Sequence, residues 1–198
     1  VTEIWEAIVV QAGGKFVDDY TRPSKVTINT PEGIAGLQFL RTLVEKGIHP
    51  PWDLITEWEG AFGSPDSAVV TGKVAMMQSG PWALGPIVQK GINFGTCPLF
   101  MGKKRATRGY VNFLSISRNC KNPQAAWRLI RWMCDKGQLE FTKTGDLPAN
   151  KKYLELAQKE NPYPYPPEIM AAYFSELPYV ITGPMVPTDD LGTLTDEV

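Results

Sequence analysis

Apolar residues recur at helical intervals along most of this chain, and glycine or proline breaks the pattern between runs. In the first twelve residues Ile4, Trp5, Ile8, Val9 and Ala12 share one helical face. Gly13-Gly14 ends that run, since glycine accepts the left-handed conformation of a helix C-terminus. Residues 15–29 read as a short extended stretch broken at Arg22-Pro23-Ser24. The clearest helix follows. Thr30 is placed as N-cap, Pro31 suits the first helical position, and Glu32 suits the positive end of the helix dipole. Ile34, Leu37, Leu40, Leu43 and Val44 then form an apolar stripe that Gly47 stops.

Beyond Pro50-Pro51 a short helix is expected over 57–61, and the run from Val69 to Met77 is expected to end in a strand. That strand would lead through Ser79-Gly80 into a new helix whose first position is Pro81. Further strands are expected over 93–99 and 110–116. Asn122 and Pro123 start a helix whose buried side would carry Ala126, Trp127, Ile130, Met133 and Cys134. Helical pattern returns at 150–159 and 168–177, on either side of the Pro-rich run Asn161-Pro-Tyr-Pro-Tyr-Pro-Pro, which favours polyproline-like geometry at the surface. Strands alternating with helices predict an α/β fold with a mainly parallel sheet and helices on both faces.

Composition narrows the function. The 198 residues are 43% hydrophobic and 21% charged, ordinary globular usage. Twenty basic and 21 acidic residues give a net charge of −1, which argues against a nucleic-acid partner. No apolar run approaches the ~20 residues that a membrane-spanning helix needs. The chain starts without Met, inside a helical pattern, and stops without a terminator, so it reads as a fragment or excised piece. Cys97, Cys120 and Cys134 fit neither a disulfide framework nor a zinc pattern and read as buried small hydrophobes. No metal site and no cofactor are expected. His49 lies in a Pro-rich turn with no nucleophile elbow, and no phosphate-binding glycine pattern is present.

The strand-to-helix corner at 76–82 is the most informative stretch, because α/β sheets bind ligands beyond the carboxyl ends of their strands. There Trp82 could stack an indole face on the C–H face of a sugar ring, or could be core; both readings stay open. Trp58, between Glu57 and Glu59, pairs an aromatic with carboxylates that suit sugar hydroxyls, or is a packing residue with a surface acid pair. Trp5 lies on the apolar stripe of its helix, with Glu3 nearby. Lys103-Lys104-Arg105 with Arg108 reads as a solvated hairpin tip. Glu57, Glu59, Asp66 and Asp146 are available for paired-carboxylate chemistry, but no spacing selects two of them.

Four stretches together resemble the carbohydrate-type extracellular solute-binding proteins of ABC importers, the maltose-binding-protein-like group. They are Ala12-Gly13-Gly14 with Asp18-Asp19; Ile28-Asn29-Thr30-Pro31-Glu32 leading to Gly47; Gly72-Lys73-Val74-Ala75-Met76 with Gly80-Pro81-Trp82; and Asn119 to Trp127 followed by Gly145-Asp146-Leu147-Pro148. The resemblance implies a periplasmic-binding-protein-like lobe. Residues 1–99 would be the second, C-terminal lobe, 100–141 a crossing strand and helix resembling a first-lobe segment, and 142–198 a return to the second lobe. The rest of the first lobe, lying outside this sequence, would be a partner.

It further implies non-covalent capture of a saccharide or sugar-like solute and delivery to a membrane permease. No enzymatic activity is implied. The location would be periplasmic or extracellular, free or lipid-anchored. Trp82 becomes the leading ligand contact with Gly80 beside it, Glu3 and Trp5 would face the cleft, and Trp58, which has Glu59 next to it, lies where relatives often place a cleft aromatic. Tyr110 and Asn112 lie near the crossing strand, and Pro184, Met185 and Pro187 near the ligand. A glycan-cleaving hydrolase with two carboxylates and a protein-interaction domain are the alternatives.

Overall fold

The computed structural model describes residues 4–62 and 67–181. The chain divides into two units, one drawn from Val1–Pro65, Leu99–Tyr110 and Glu176–Val198, the other from Asp66–Pro98 and Val111–Ser175.

In the first unit, α1 (Ile4–Gln11) is buried almost all round rather than on one face, with Ala7, Ile8, Val9, Val10 and Gln11 all inaccessible. The buried Gln11 amide is satisfied by donating to the Ala106 carbonyl at 2.8 Å. The double glycine ends α1 as expected. Gly13 takes φ +102, and the amides of Gly13 and Gly14 donate to Val10 and Val9. α2 (Pro31–Glu45) begins as its sequence predicts, with Thr30 Oγ1 accepting from the Gly33 amide at 3.2 Å. It ends at Gly47, φ +65, whose amide donates to Val44 while Ile48 donates to Leu43.

The stripe of Ile34, Leu37 and Val44 is not the side of α2 that meets α1, and these three stay exposed. Gly33 and Gly36 turn inward instead. A Cβ on Gly36 would lie 2.8 Å from Val9 Cα, so the two backbones approach more closely than any side chain permits. α3 (Trp52–Phe62) is longer than the helix expected over 57–61. Val9, Val10, Phe16, Val17 and Ala106 form the core of this unit, with Trp5, Tyr20, Ile28 and Ile181 against it.

The sheet is parallel, as expected, and consists among the described residues of β1 (Thr107–Arg108) and β2 (Val180–Ile181). Among the described residues an isolated antiparallel bridge joins Val17 to Val26. The turn it encloses is organised by two carboxylates. Asp18 accepts from the Ser24 hydroxyl and from the Ser24 and Lys25 amides, and Asp19 accepts from Thr21 and Arg22. These bonds favour the charged form and hold the Asp18 carboxyl well below the usual carboxylate range, the Ser24 hydroxyl contributing most.

The second unit holds α4 (Ser67–Val70), a 3-10 turn at Pro81–Ala83, α5 (Leu84–Gln89), α6 (Pro123–Met133), α7 (Gln138–Phe141), α8 (Lys151–Glu160) and most of α9 (Pro167–Glu176). Asn122 and Asn150 cap α6 and α8 through their side-chain oxygens. Leu84, Ala157, Tyr163, Tyr165, Ile169 and Met170 form the core. The Pro-rich run contributes to it by alternation: Tyr163 and Tyr165 point in, and Pro164 and Pro166 point out. Asn161, at φ 46, turns the chain out of α8 and donates to the Tyr165 carbonyl at 2.9 Å.

Several expectations are corrected. The strands expected before Met77, over 93–99 and over 110–116 are absent. Extended chain counts as a strand only when a neighbour completes its hydrogen-bond ladder, and these segments run alongside no such neighbour among the described residues. Phe113, 85% exposed, shows how open the last of them is. Trp127 is 52% exposed and α6 buries no residue, so its apolar side is not core. Cys97 and Cys134 are exposed thiols rather than buried ones, and Cys120 is partly buried. Arg105 and Arg108 are not at a solvated tip. Arg105 pairs with Glu176 and stacks 4.3 Å from the Tyr179 ring centroid, and Arg108 pairs with Glu6. Among the described residues no helix is long and apolar enough to cross a membrane.

Two outcomes follow from this packing. Gly36→Ala should destabilise the protein by about 1–3 kcal/mol in urea denaturation, since overpacking against backbone cannot be relieved by a rotamer change. Because the Asp18 carboxyl is depressed in the fold, its contribution is complete above the ordinary carboxylate pKa and is lost as pH falls through the folded value. The stability gap between wild type and Asp18→Ala should therefore be widest near neutrality and close in acid, as read from denaturation midpoints across pH.

Candidate functional site

The corner at 80–84 is built by a turn with three residues per revolution. Pro81 takes its first position, where the missing N–H costs nothing, and the Ala83 amide donates to the Gly80 carbonyl at 3.1 Å. Pro81 and Ala83 are buried, and Leu84 and Ile87 continue into the core. The residue between the two buried positions must point away from that core. Trp82 is 49% exposed. Of its two readings, a sealed core residue is excluded and a surface-presented indole remains.

The corner is braced from behind. Gly145, at φ +99, lies so close that a Cβ there would come within 2.6 Å of the Pro81 carbonyl oxygen and 3.4 Å of Tyr165 Cε2. Gly145 belongs to the Gly145-Asp146-Leu147-Pro148 stretch, and Leu147 packs on the same core as Leu84, Tyr163 and Tyr165. Tyr163 is 6% exposed, and its hydroxyl has no hydrogen-bond partner among the described residues. Burial, with the Asp146 carboxylate adding to it, pushes the Tyr163 phenol up to about 12. Asp146 itself accepts from the Thr144 hydroxyl at 2.9 Å.

The other candidates fall in both units. Gly80, Trp82 and Asn112 belong to the second unit; Trp5, Trp58, Glu59 and Tyr110 belong to the first. Trp5 is half-buried and meets Phe16 edge to face, with centroids 4.7 Å apart, against the core of its unit. Trp58 is half-buried on α3, which also carries Glu57, an exposed residue, and Glu59. Tyr110 is exposed, with the Arg108 guanidinium 5.4 Å from its ring centroid. Asn112 is exposed in the extended stretch after Tyr110. Glu3, Asp66, Pro184, Met185 and Pro187 lie outside the described residues. Gly145, Tyr163 and Tyr165 were not singled out as site residues. The Gly-Asp-Leu-Pro and Tyr-Pro-Tyr motifs are visible in sequence, but the approach of Gly145 to Pro81 and the packing of Tyr163 and Tyr165 with Leu84 come only from the fold.

The family of bacterial extracellular solute-binding proteins matches residues 3–169. This chain belongs to that family. The solute-binding protein is 29% identical over 132 residues to the maltotriose-binding protein of Pyrococcus abyssi (strain GE5 / Orsay), a match covering 64% of this chain and 27% of that protein. It is 25% identical over 143 residues to the galactooligosaccharide-binding protein of Bacillus subtilis (strain 168), covering 70% and 33%. Among solved structures it is similar to an ABC substrate-binding protein from Listeria monocytogenes in complex with cycloalternan. That likeness has a TM-score of 0.72 and 21% identity and covers 98% of this chain and 48% of that one. It is also similar to a cyclic alpha-maltosyl-1,6-maltose binding protein from Arthrobacter globiformis, with a TM-score of 0.64, 22% identity and coverage of 98% and 47%.

These likenesses establish the fold as periplasmic-binding-protein-like, of the α/β class, realised here as a helix-rich chain with a small parallel sheet. The chain spans about a third or less of the length of those sequence relatives and just under half of the solved ones. The matched family and the two structures are binding proteins rather than enzymes by description.

Tyr163 supplies a test of how tightly the corner is backed. A buried hydroxyl without a protein partner forgoes hydration, so Tyr163→Phe should leave stability unchanged or raise it by up to about 1 kcal/mol at neutral pH. In the wild type the raised phenol favours the neutral form. Its contribution is complete below the ordinary tyrosine value of 10.0 and lost as pH rises through about 12. Denaturation in alkali should therefore be steeper for wild type than for Tyr163→Phe.

Proposed function

We propose that this chain is part of a protein that captures a saccharide or sugar-like solute without covalent chemistry and delivers it to the permease of an ABC importer. The observation that carries the reading is Trp82, a half-exposed indole on a rigid corner of a solute-binding fold. An aromatic ring stacks on the C–H face of a pyranose and excludes water from it, while neighbouring polar groups take the hydroxyls. The names of its relatives support the substrate class, since they include binders of maltotriose, a galactooligosaccharide and cyclic glucans.

In this reading Trp58 and Glu59 form a second aromatic and carboxylate pair, and Trp5, Glu3, Tyr110 and Asn112 contribute further contacts, with no catalytic step. Residues 1–99 and 142–198 belong to the second lobe, and 100–141 form the crossing segment. The protein works outside the cytoplasmic membrane, free or lipid-anchored, and needs no cofactor. Ligand that touches both lobes of the full-length protein draws them closed by favouring the closed population.

The test uses the full-length protein and a panel of maltotriose, a galactooligosaccharide, cycloalternan and cyclic maltosyl-maltose. At least one should raise the melting temperature without being consumed. Trp82→Ala should abolish the ligand-induced change in tryptophan fluorescence and leave the ligand-free melting temperature within a few degrees of wild type. Release of a shortened sugar would instead establish a hydrolase. Unchanged binding with a large loss of stability would make Trp82 a structural residue.

A further inference from the structure

Gly80 is expected beside the ligand contacts, and its geometry bears on the indole of Trp82. Its backbone, φ −84 and ψ 173, is ordinary extended chain that any residue adopts, so the turn itself does not call for glycine. The indole does. A Cβ built on Gly80 would overlap the six-membered ring of Trp82, nearly equidistant from Cζ3, Cη2 and Cε3. Three adjacent ring carbons can be equally near only if the approach is onto the ring's face rather than its edge. Trp82 therefore lies face down on the Gly80 backbone. One face of the ring is covered by main chain, and the residue as a whole is 49% exposed.

We propose that Gly80 is a positioning residue that selects the rotamer of Trp82, so that the indole is already set against the corner before any ligand arrives. The proposal rests on the reading of Trp82 as a saccharide platform and specifies how the platform is set. Any side chain at position 80 lifts the ring off the backbone into another staggered well. Two glycines then divide the work. Gly145 fixes the backbone of the corner from behind, at a left-handed φ and against the Pro81 carbonyl. Gly80 fixes the side chain from beneath. They differ in what a methyl group would strike. At Gly145 it meets main chain, which cannot yield; at Gly80 it meets an indole, which can rotate away at little cost to the fold. A preset platform also spares the ligand the cost of ordering a rotamer-rich side chain on binding.

The experiment compares Gly80→Ala, Trp82→Ala and the double variant in the full-length protein, by calorimetric titration with whichever panel saccharide gives the largest thermal shift. Gly80→Ala should weaken binding roughly ten-fold, the scale of one well-placed aromatic contact. Its melting temperature should stay within a few degrees of wild type. In ligand-free protein it should also move the indole N–H resonance that Trp82→Ala removes. The double variant should bind no more weakly than Trp82→Ala alone. If Trp82→Ala loses affinity while Gly80→Ala binds like wild type, the positioning role is overturned and the platform stands. A Gly80→Ala loss that recurs in full in the Trp82→Ala background would make Gly80 a direct ligand contact and overturn it equally. If Trp82→Ala binds like wild type, the saccharide platform itself falls, and the positioning role with it.

Discussion

A turn with three residues per revolution, pinned at two of them, leaves its middle side chain one direction to take. Pro81 and Ala83 are buried in the second unit and Gly145 comes close behind the Pro81 carbonyl, so Trp82 has to face out. Everything proposed for this chain as a binder of solutes descends from that constraint. It converts a bulky apolar side chain, which would otherwise gain ~1.5–3 kcal/mol or more by burial, into an exposed surface. Exposing such a residue is unfavourable for folding, and the local geometry of the corner enforces it.

The same economy of backbone contact recurs in the first unit. Gly36 lets α2 lie against Val9, Gly14 comes close to Gly33, and Gln11 finds its partner in a main-chain carbonyl. Both units place glycine where two stretches of main chain meet and leave larger residues at the margins. The consequence for α2 is an apolar stripe, Ile34 with Leu37 and Val44, that its own unit leaves exposed among the described residues.

What the sequence reveals divides along the range of the interaction involved. Thr30 and Asn122 are legible as caps, and Gly13 and Gly47 as stops, because each acts on amides within a few residues of itself. Trp82 is legible as a candidate because the Gly-Pro turn before it is local. Strands are not, since extended chain needs a neighbour that sequence does not name; β1 finds β2 only through the fold. Arg105 and Arg108 look like a solvated cluster until Glu176, 71 positions away, and Glu6, 102 positions away, are brought to them. Trp127 and Cys134 sit on a clean amphipathic pattern, but periodicity shows which side of a helix is apolar and not what covers it. The bracing of the corner by Gly145 and the orientation of the indole on Gly80 were hidden for the same reason.

The three-part assembly of the first unit bears on how it is made. Its closing interactions join α1 to residues near 106 and 108, and those in turn to 176–181. Closing such long loops is entropically slow, and topologies dominated by distant contacts fold late. The second unit draws on 66–98 and 111–175, all of it made before β2 leaves the ribosome. Through that interval α1, apolar on nearly every side, waits without its cover. A helix apolar on nearly every side is thus enclosed only after the whole second unit has been made, which makes the nascent chain a natural client for chaperones that bind unfolded polypeptide.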